Sequence, residues 1–208
     1  MLTEEKARLG VLISGSGTNL QAIIDAIETR RLDAEVAVVV SNHPSAYGLE
    51  RARLHSIPGV VVDRSAHENA RFFNHAILGI LQDHRVDVVV MAGYMRLLGR
   101  EILAAYPDRV VNIHPALLPS FAGAHGIQDA FDHGVKITGV TVHFANEEFD
   151  AGAIIAQEAV RIEEDDTLET LEAKIHDVEH RIYPEALQLL VEGRLRVEGR
   201  RVRIEPKS

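Results

Sequence analysis

The chain has 208 residues, of which 46% are hydrophobic and 25% charged, with a formal net charge of -9 and no cysteine. These values favour one globular domain with a sizeable core, with two small lobes as the alternative, and exclude disorder of the whole chain. The missing cysteines exclude disulfides, thiolate nucleophiles, Cys-ligated zinc and iron–sulfur clusters. No apolar run approaches the ~18–20 residues that a membrane-spanning helix needs. The N-terminal stretch Met1 to Lys6 lacks the basic-then-apolar order of a secretion signal, so a cytoplasmic protein without membrane partners is expected. Charge is unevenly spread: residues 146–180 hold twelve Asp and Glu against Arg161 and Lys174, while residues 193–208 hold five Arg and Lys207 against two Glu. A short basic tail on an acidic body reads as a solvated hairpin, and nucleic acid is not an expected partner.

In chain order, Leu9 to Ile13 reads as a buried strand. Leu20, Ile23, Ile24 and Ile27 fall on one face of a helix, and Val36 to Val40 forms a second strand. The alternation continues with a helix over Tyr47 to His55, a strand over Val60 to Val62, a helix from about Glu68 to Gln82, and a strand over Val86 to Met91. A short helix over Arg100 to Ala105 and a strand over Arg109 to Ile113, stopped by Pro115, follow. This βαβ order predicts an α/β fold with an open, mostly parallel, Rossmann-like sheet and helices on both faces. Pro115 to Gly126 reads as a functional loop. Ile137 to Phe144 and Ala153 to Ile162 then form an antiparallel pair around a turn at Phe149 to Gly152. Leu168, Leu171, Ile175, Val178, Ile182, Ala186 and Leu189 line one stripe of a long helix starting near Thr167 and kinked at Pro184. Leu195 to Ile204 closes the chain as a hairpin within the antiparallel C-terminal portion.

The turn Ser14-Gly15-Ser16-Gly17-Thr18-Asn19 joins a buried strand to a helix, where unpaired N–H groups and the helix dipole favour an anion. It is not a dinucleotide fingerprint, because Leu20 stands where the third glycine belongs, and it lacks the P-loop lysine. A phosphomonoester cradle fits. The plainer reading is a tight turn with Thr18 and Gln21 as a capping box. Asn112 and His114 lie two apart at a strand end and so face the same way, offering two donors to a developing oxyanion. Asp150, in the turn after the next strand, is placed to hold the imidazole protonated. A hydrogen-bonded structural histidine flanked by ordinary turn formers is the bland alternative.

The strings Leu12 to Gln21, Met91-Ala92-Gly93-Tyr94-Met95-Arg96, Asn112-Ile113-His114-Pro115 through Pro119, and Thr138 to His143 with Asp150 resemble the folate-dependent phosphoribosylglycinamide formyltransferases of purine synthesis. The resemblance runs from about residue 9 to 190. It implies a single formyltransferase domain over residues 1–208, with the phosphate side in the N-terminal half and the folate and catalytic side in the C-terminal half. The implied reaction moves a formyl group from 10-formyltetrahydrofolate, a co-substrate, to the amine of phosphoribosylglycinamide, without a metal. Asn112, His114 and Asp150 would be catalytic. Gly15, Ser16, Gly17, Thr18, Asn19 and Glu179 would bind the substrate. Arg71, Met95, Arg96, Leu97, Leu98, Asn112, Ala145, Asn146, Glu147, Glu148 and Phe149 would meet the folate. Ser120 and Ala122 depart from the family pattern in the loop.

Related chemistries compete. A formyltetrahydrofolate hydrolase would carry an extra N-terminal domain, whereas about eight residues precede the first strand here; a methionyl-tRNA formyltransferase would carry a larger basic C-terminal domain. His176-Asp177-Val178-Glu179-His180 matches H-x-x-E-H, which in a zinc hydrolase would supply two ligands and a catalytic glutamate. A phosphosugar-binding module would need only the glycine turn and would leave Asn112, His114 and Asp150 apart. Oligomeric state is left open.

Overall fold

The computed structural model describes residues 6–207, so the segment through Glu5 that was read for a secretion signal lies outside them. The chain divides into two compact units, one ending at Val111 and the other beginning at Asn112.

The first unit runs β1 (Ala7–Ile13), α1 (Thr18–Glu28), β2 (Ala34–Ser41), α2 (Tyr47–Leu54), β3 (Gly59–Val61), a 3-10 turn at Arg64–Ala66, α3 (Ala70–Asp83), β4 (Val88–Met91) and α4 (Arg100–Ala105). Its strands lie in the order β3-β2-β1-β4, with β1 parallel to both β2 and β4 and β2 parallel to β3. Such strands are covered on both faces, which is why Val11, Leu12, Ile13, Val38, Val39, Val40, Val89 and Val90 read as unbroken apolar runs and are all fully buried. Leu20 and Ile23 of α1 and Phe73, Ile77 and Leu81 of α3 complete this core. The chain moves outward from β1 to β2 and β3, then returns to β4 on the other side of β1. The carboxyl ends of β1 and β4 therefore flank a topological switch point, where open α/β sheets bind ligands. Helix α3 begins at Ala70, two residues later than expected from the sequence, because the Asn69 side chain accepts the Phe72 N–H at 3.1 Å and caps it.

The chain passes into the second unit within β5 (Val110–His114), which is followed by α5 (Gly126–His133), β6 (Ile137–Phe144), β7 (Ile154–Arg161), α6 (Leu168–Val191), β8 (Leu195–Glu198) and β9 (Arg201–Ile204). Here β6 and β7 are antiparallel, β8 and β9 form the expected hairpin, and β9 lies beside β7 in parallel. The fold is mixed α/β, mostly parallel, with antiparallel C-terminal strands. Helix α6 packs on β6 and β7 and continues through Pro184. Its buried face is Leu171, Ile175, Glu179, Ile182, Tyr183, Ala186 and Leu187, so a carboxylate sits within the predicted apolar stripe. Helix α5 was not anticipated, although Ile127, Ala130 and Phe131 have helical spacing and Gly134 ends the element in the left-handed conformation. The basic tail is paired in part: Glu192 pairs with Lys207 at 2.8 Å and Arg194 at 3.1 Å, and Glu198 with Arg203 at 2.8 Å. Among the described residues, no helix is long and apolar enough to cross a membrane.

Candidate active site

In the first unit the glycine turn caps α1 through Gly17, whose φ of 71° is left-handed. No side chain caps this helix, so the capping box expected from Thr18 and Gln21 does not form. Gln21 instead turns to Asp25, His55 and Arg51. Gly15 and Ser16 are exposed, whereas Gly17 and Asn19 are buried. Ser14 ties the turn to both neighbouring strand ends. Its Oγ donates to Asn42 Oδ1 at 2.7 Å and accepts the Met95 N–H at 3.0 Å, and its own N–H donates to Gly93 O at 3.2 Å. The structure thus brings the glycine turn together with the first residue of the expected folate segment. Within that segment Met95 and Leu97 are exposed, Leu98 is buried, and the Arg96 guanidinium lies 5.6 Å from the centre of the Phe73 ring. Arg71 is exposed on α3.

In the second unit β5 aims Asn112 and His114 toward the turn between β6 and β7. Asp150 sits at the end of that turn with a left-handed φ of 53°. Asp150 Oδ2 lies 3.5 Å from His114 Nδ1 and accepts the Gly123 N–H at 2.9 Å. Its Oδ1 lies 3.4 Å from Asn112 Nδ2. The three side chains meet, as catalysis requires and a simple binding module does not. His114 Nε2 donates to Phe121 O at 2.7 Å, so both ring nitrogens face acceptors. Burial pushes the Asp150 carboxyl up, but contacts from His143 and the Gly123 N–H, with the charges of His114 and His143, outweigh it and hold the group below its ordinary range. Gly152 keeps the turn tight: a Cβ there would fall 1.7 Å from Phe144 O. The expected folate residues Ala145, Asn146, Glu147, Glu148 and Phe149 occupy the same turn, with Phe149 exposed and the Glu148 N–H bonded to Asn146 Oδ1 at 3.2 Å.

His143 belongs to this cluster and was not singled out from the sequence. It is fully buried, donates from Nδ1 to Phe144 O at 2.9 Å, and presents Nε2 to Asn112 Nδ2 at 3.2 Å and Asp150 Oδ1 at 3.6 Å. A neutral ring accepts from the asparagine; a protonated one donates to the aspartate. The period-of-two argument that selected Asn112 and His114 also pairs Thr141 with His143 at the end of β6.

Glu179 is buried on α6, and its Oε2 accepts from His176 Nδ1 at 2.8 Å. That bond raises the His176 pKa against the opposing effect of burial, with further support from the charges of Glu179, Glu172 and Asp177. The His176 and His180 rings stack 6.1 Å apart. Among the described residues no group of three or more His, Asp or Glu side chains is arranged to hold a metal ion.

The formyl transferase family profile matches residues 7–187. The phosphoribosylglycinamide formyltransferase of Bacillus subtilis is 42% identical over 88% of this chain and 94% of its own length. The trifunctional purine biosynthetic protein adenosine-3 of Bos taurus is 42% identical over 93% of this chain, which spans only 19% of that longer protein. The crystal structure of glycinamide ribonucleotide transformylase 1 from Symbiobacterium toebii superposes with a TM-score of 0.95 at 50% identity, covering 98% of this chain and 96% of the other. The chain belongs to the formyl transferase family, on the branch of the phosphoribosylglycinamide formyltransferases.

Proposed function

We propose that the protein transfers the formyl group of 10-formyltetrahydrofolate to the primary amine of 5-phosphoribosylglycinamide, releasing tetrahydrofolate. The observation that carries this reading is the cluster of Asn112, His114 and Asp150, in which a buried carboxylate lies 3.5 Å from the His114 imidazole and 3.4 Å from the Asn112 amide. In our reading the amine lone pair attacks the formyl carbon, the carbonyl oxygen takes the negative charge, and the bond from that carbon to the folate nitrogen then breaks. A water molecule carries the amine proton to the departing nitrogen. His114 donates a hydrogen bond from its Nε2–H to the oxyanion once the 120–125 segment withdraws the Phe121 carbonyl, and keeps that proton as the carbonyl re-forms. Asn112 donates a second hydrogen bond from the Nδ2–H now directed along its long 3.4 Å contact with Asp150. Asp150 favours the charged imidazole and orients it.

We read residues 1–208 as a single formyltransferase domain. Gly15, Ser16, Gly17, Thr18 and Asn19 bind the substrate phosphate, and Glu179 binds the ribosyl-glycinamide portion. Arg71, Met95 to Leu98, Asn112 and Ala145 to Phe149 meet the folate. The test is an assay with both substrates beside a control in which water replaces the amine. Formylation of the amine with no tetrahydrofolate released in the control supports transfer. Equal release of tetrahydrofolate without the amine would identify a hydrolase instead.

A further inference from the structure

Three successive carbonyls of the glycine turn are each taken by a donor. Gly15 O accepts the Gly48 N–H at 3.1 Å, Ser16 O accepts Arg51 Nε at 2.9 Å, and Gly17 O accepts the Gln21 N–H at 3.0 Å. In a trans peptide the C=O and N–H point opposite ways. Anchoring these carbonyls therefore turns the N–H groups of Ser16, Gly17 and Thr18 to the other side, and among the described residues they donate to no protein acceptor. Two of the three anchors are backbone groups. The third is a side chain.

Arg51 is itself held in place. Its Nη1 donates to Gln21 Oε1 at 3.2 Å, and its guanidinium carbon lies 5.1 Å from the centre of the Tyr47 ring. The Gln21 amide is oriented in turn by Asp25 Oδ1 at 2.8 Å and His55 Nε2 at 3.1 Å, and His55 Nδ1 lies 2.8 Å from Glu28 Oε1. A two-pronged guanidinium spans the turn and the helix after it, which one ammonium nitrogen cannot do. Arg53, two residues along the same helix, pairs only with Glu50 at the surface.

We infer that Arg51 is a positioning residue for phosphate recognition, fixing the Ser16–Gly17 peptide so that its N–H faces the anion. This rests on the reading that the turn binds the substrate phosphate. The test is steady-state kinetics of wild type, Arg51→Met, Arg51→Lys and Arg53→Met with phosphoribosylglycinamide and with its dephosphorylated riboside. Arg51→Met is expected to raise the KM for the phosphorylated amine about tenfold, the size of one lost charge-assisted hydrogen bond. Its kcat, folate KM, KM for the riboside and Tm should stay near wild type. Arg51→Lys should remain impaired, and Arg53→Met should behave as wild type.

A proportional rise for both amines, no rise at all, or full rescue by lysine would overturn the positioning role. If Arg51→Met does not fold, Gln21→Met removes the second prong and must show the same phosphate-selective loss. A wild type that does not distinguish the two amines would instead remove the phosphate reading, and the inference with it.

Discussion

Gly15 and Gly17 stand two apart in one turn and answer to different constraints. A Cβ on Gly17 would lie 2.6 Å from the Gly48 Cα, at a φ of 71° that side chains rarely adopt, so this glycine is required by the packing of α2 against the turn. A Cβ on Gly15 would meet no atom within 4 Å. Gly17→Val should therefore cost about 2–4 kcal/mol of stability and lower Tm, whatever the substrate. Gly15→Ala should keep its Tm and raise the KM for the phosphorylated amine alone, since the added methyl crowds only what approaches from outside. Equal losses in both variants would mean that the turn serves the fold and nothing else. At the other cluster, His114→Ala removes the donor proposed to meet the oxyanion, and the loss of one such donor costs about 10²–10³ in kcat in comparable sites. Asp150→Asn removes the charge that faces the imidazole. In the proposed mechanism Asp150 works through His114, so the double variant should be only slightly worse than His114→Ala, as for residues that act as a unit. Losses that multiply in the double variant would place Asp150 in a separate role.

Helix α6 shows how far periodicity carries and where it stops. Spacing alone located the element and most of its buried face, because burial of an apolar stripe is what holds a helix against a sheet. It did not show that Glu179 would be buried among Leu171, Ile175, Ile182 and Tyr183, because a carboxylate is admitted there by the 2.8 Å bond to His176, which spacing does not reveal. The resemblance singled out Glu179 as a substrate residue and the H-x-x-E-H match as a metal-site glutamate, whereas the apolar spacing pointed to neither. Helix α5 escaped because its Ile127, Ala130 and Phe131 span barely one turn, too short a run to stand out after a glycine-rich loop. The capping-box alternative at the N-terminus of α1 fails for a related reason: Thr18 and Gln21 have the spacing, but Gln21 is drawn to Asp25 of its own helix and to Arg51 and His55 of α2 and its C-terminal end. The box forms at Thr167 and Thr170 of α6 instead. The His176–Glu179 pair has a definite pH signature. A histidine whose folded pKa is raised contributes stability that is complete below its unfolded value, about 6.5, and is lost as pH rises through the folded value. Glu179→Gln should lower the His176 titration midpoint seen by NMR and flatten the stability profile within that window, between about pH 6.5 and the wild-type folded midpoint. An unchanged midpoint would show that Glu172 and Asp177 set the shift.

At the scale of the whole molecule, the two units carry complementary equipment. The first has a switch point between β1 and β4, where Ser14 joins the glycine turn to the start of the 95–98 segment. The second has the polar cluster at the ends of β5 and β6, closed by the 145–152 turn. Hydrogen exchange can read each unit separately. The N–H groups of Ser16, Gly17 and Thr18 have no protein acceptor among the described residues, so they should exchange fast in the unliganded protein. Saturating phosphoribosylglycinamide should slow them, and the dephosphorylated riboside should not. Formyl folate or a stable analogue should slow the amides of 95–98 and 145–149 while leaving the glycine turn fast. Any ligand that binds only the folded state also raises apparent stability, by about 2.7 kcal/mol at a hundredfold excess over Kd. Melting curves taken beside the exchange data therefore separate local protection from global stabilisation, because global stabilisation slows core amides such as those of Val39 and Val142 as well. Protection of the glycine turn by the riboside as strongly as by the phosphorylated amine would show that this turn does not read the phosphate. Protection by the folate confined to the first unit would remove the 145–149 turn from the folate site.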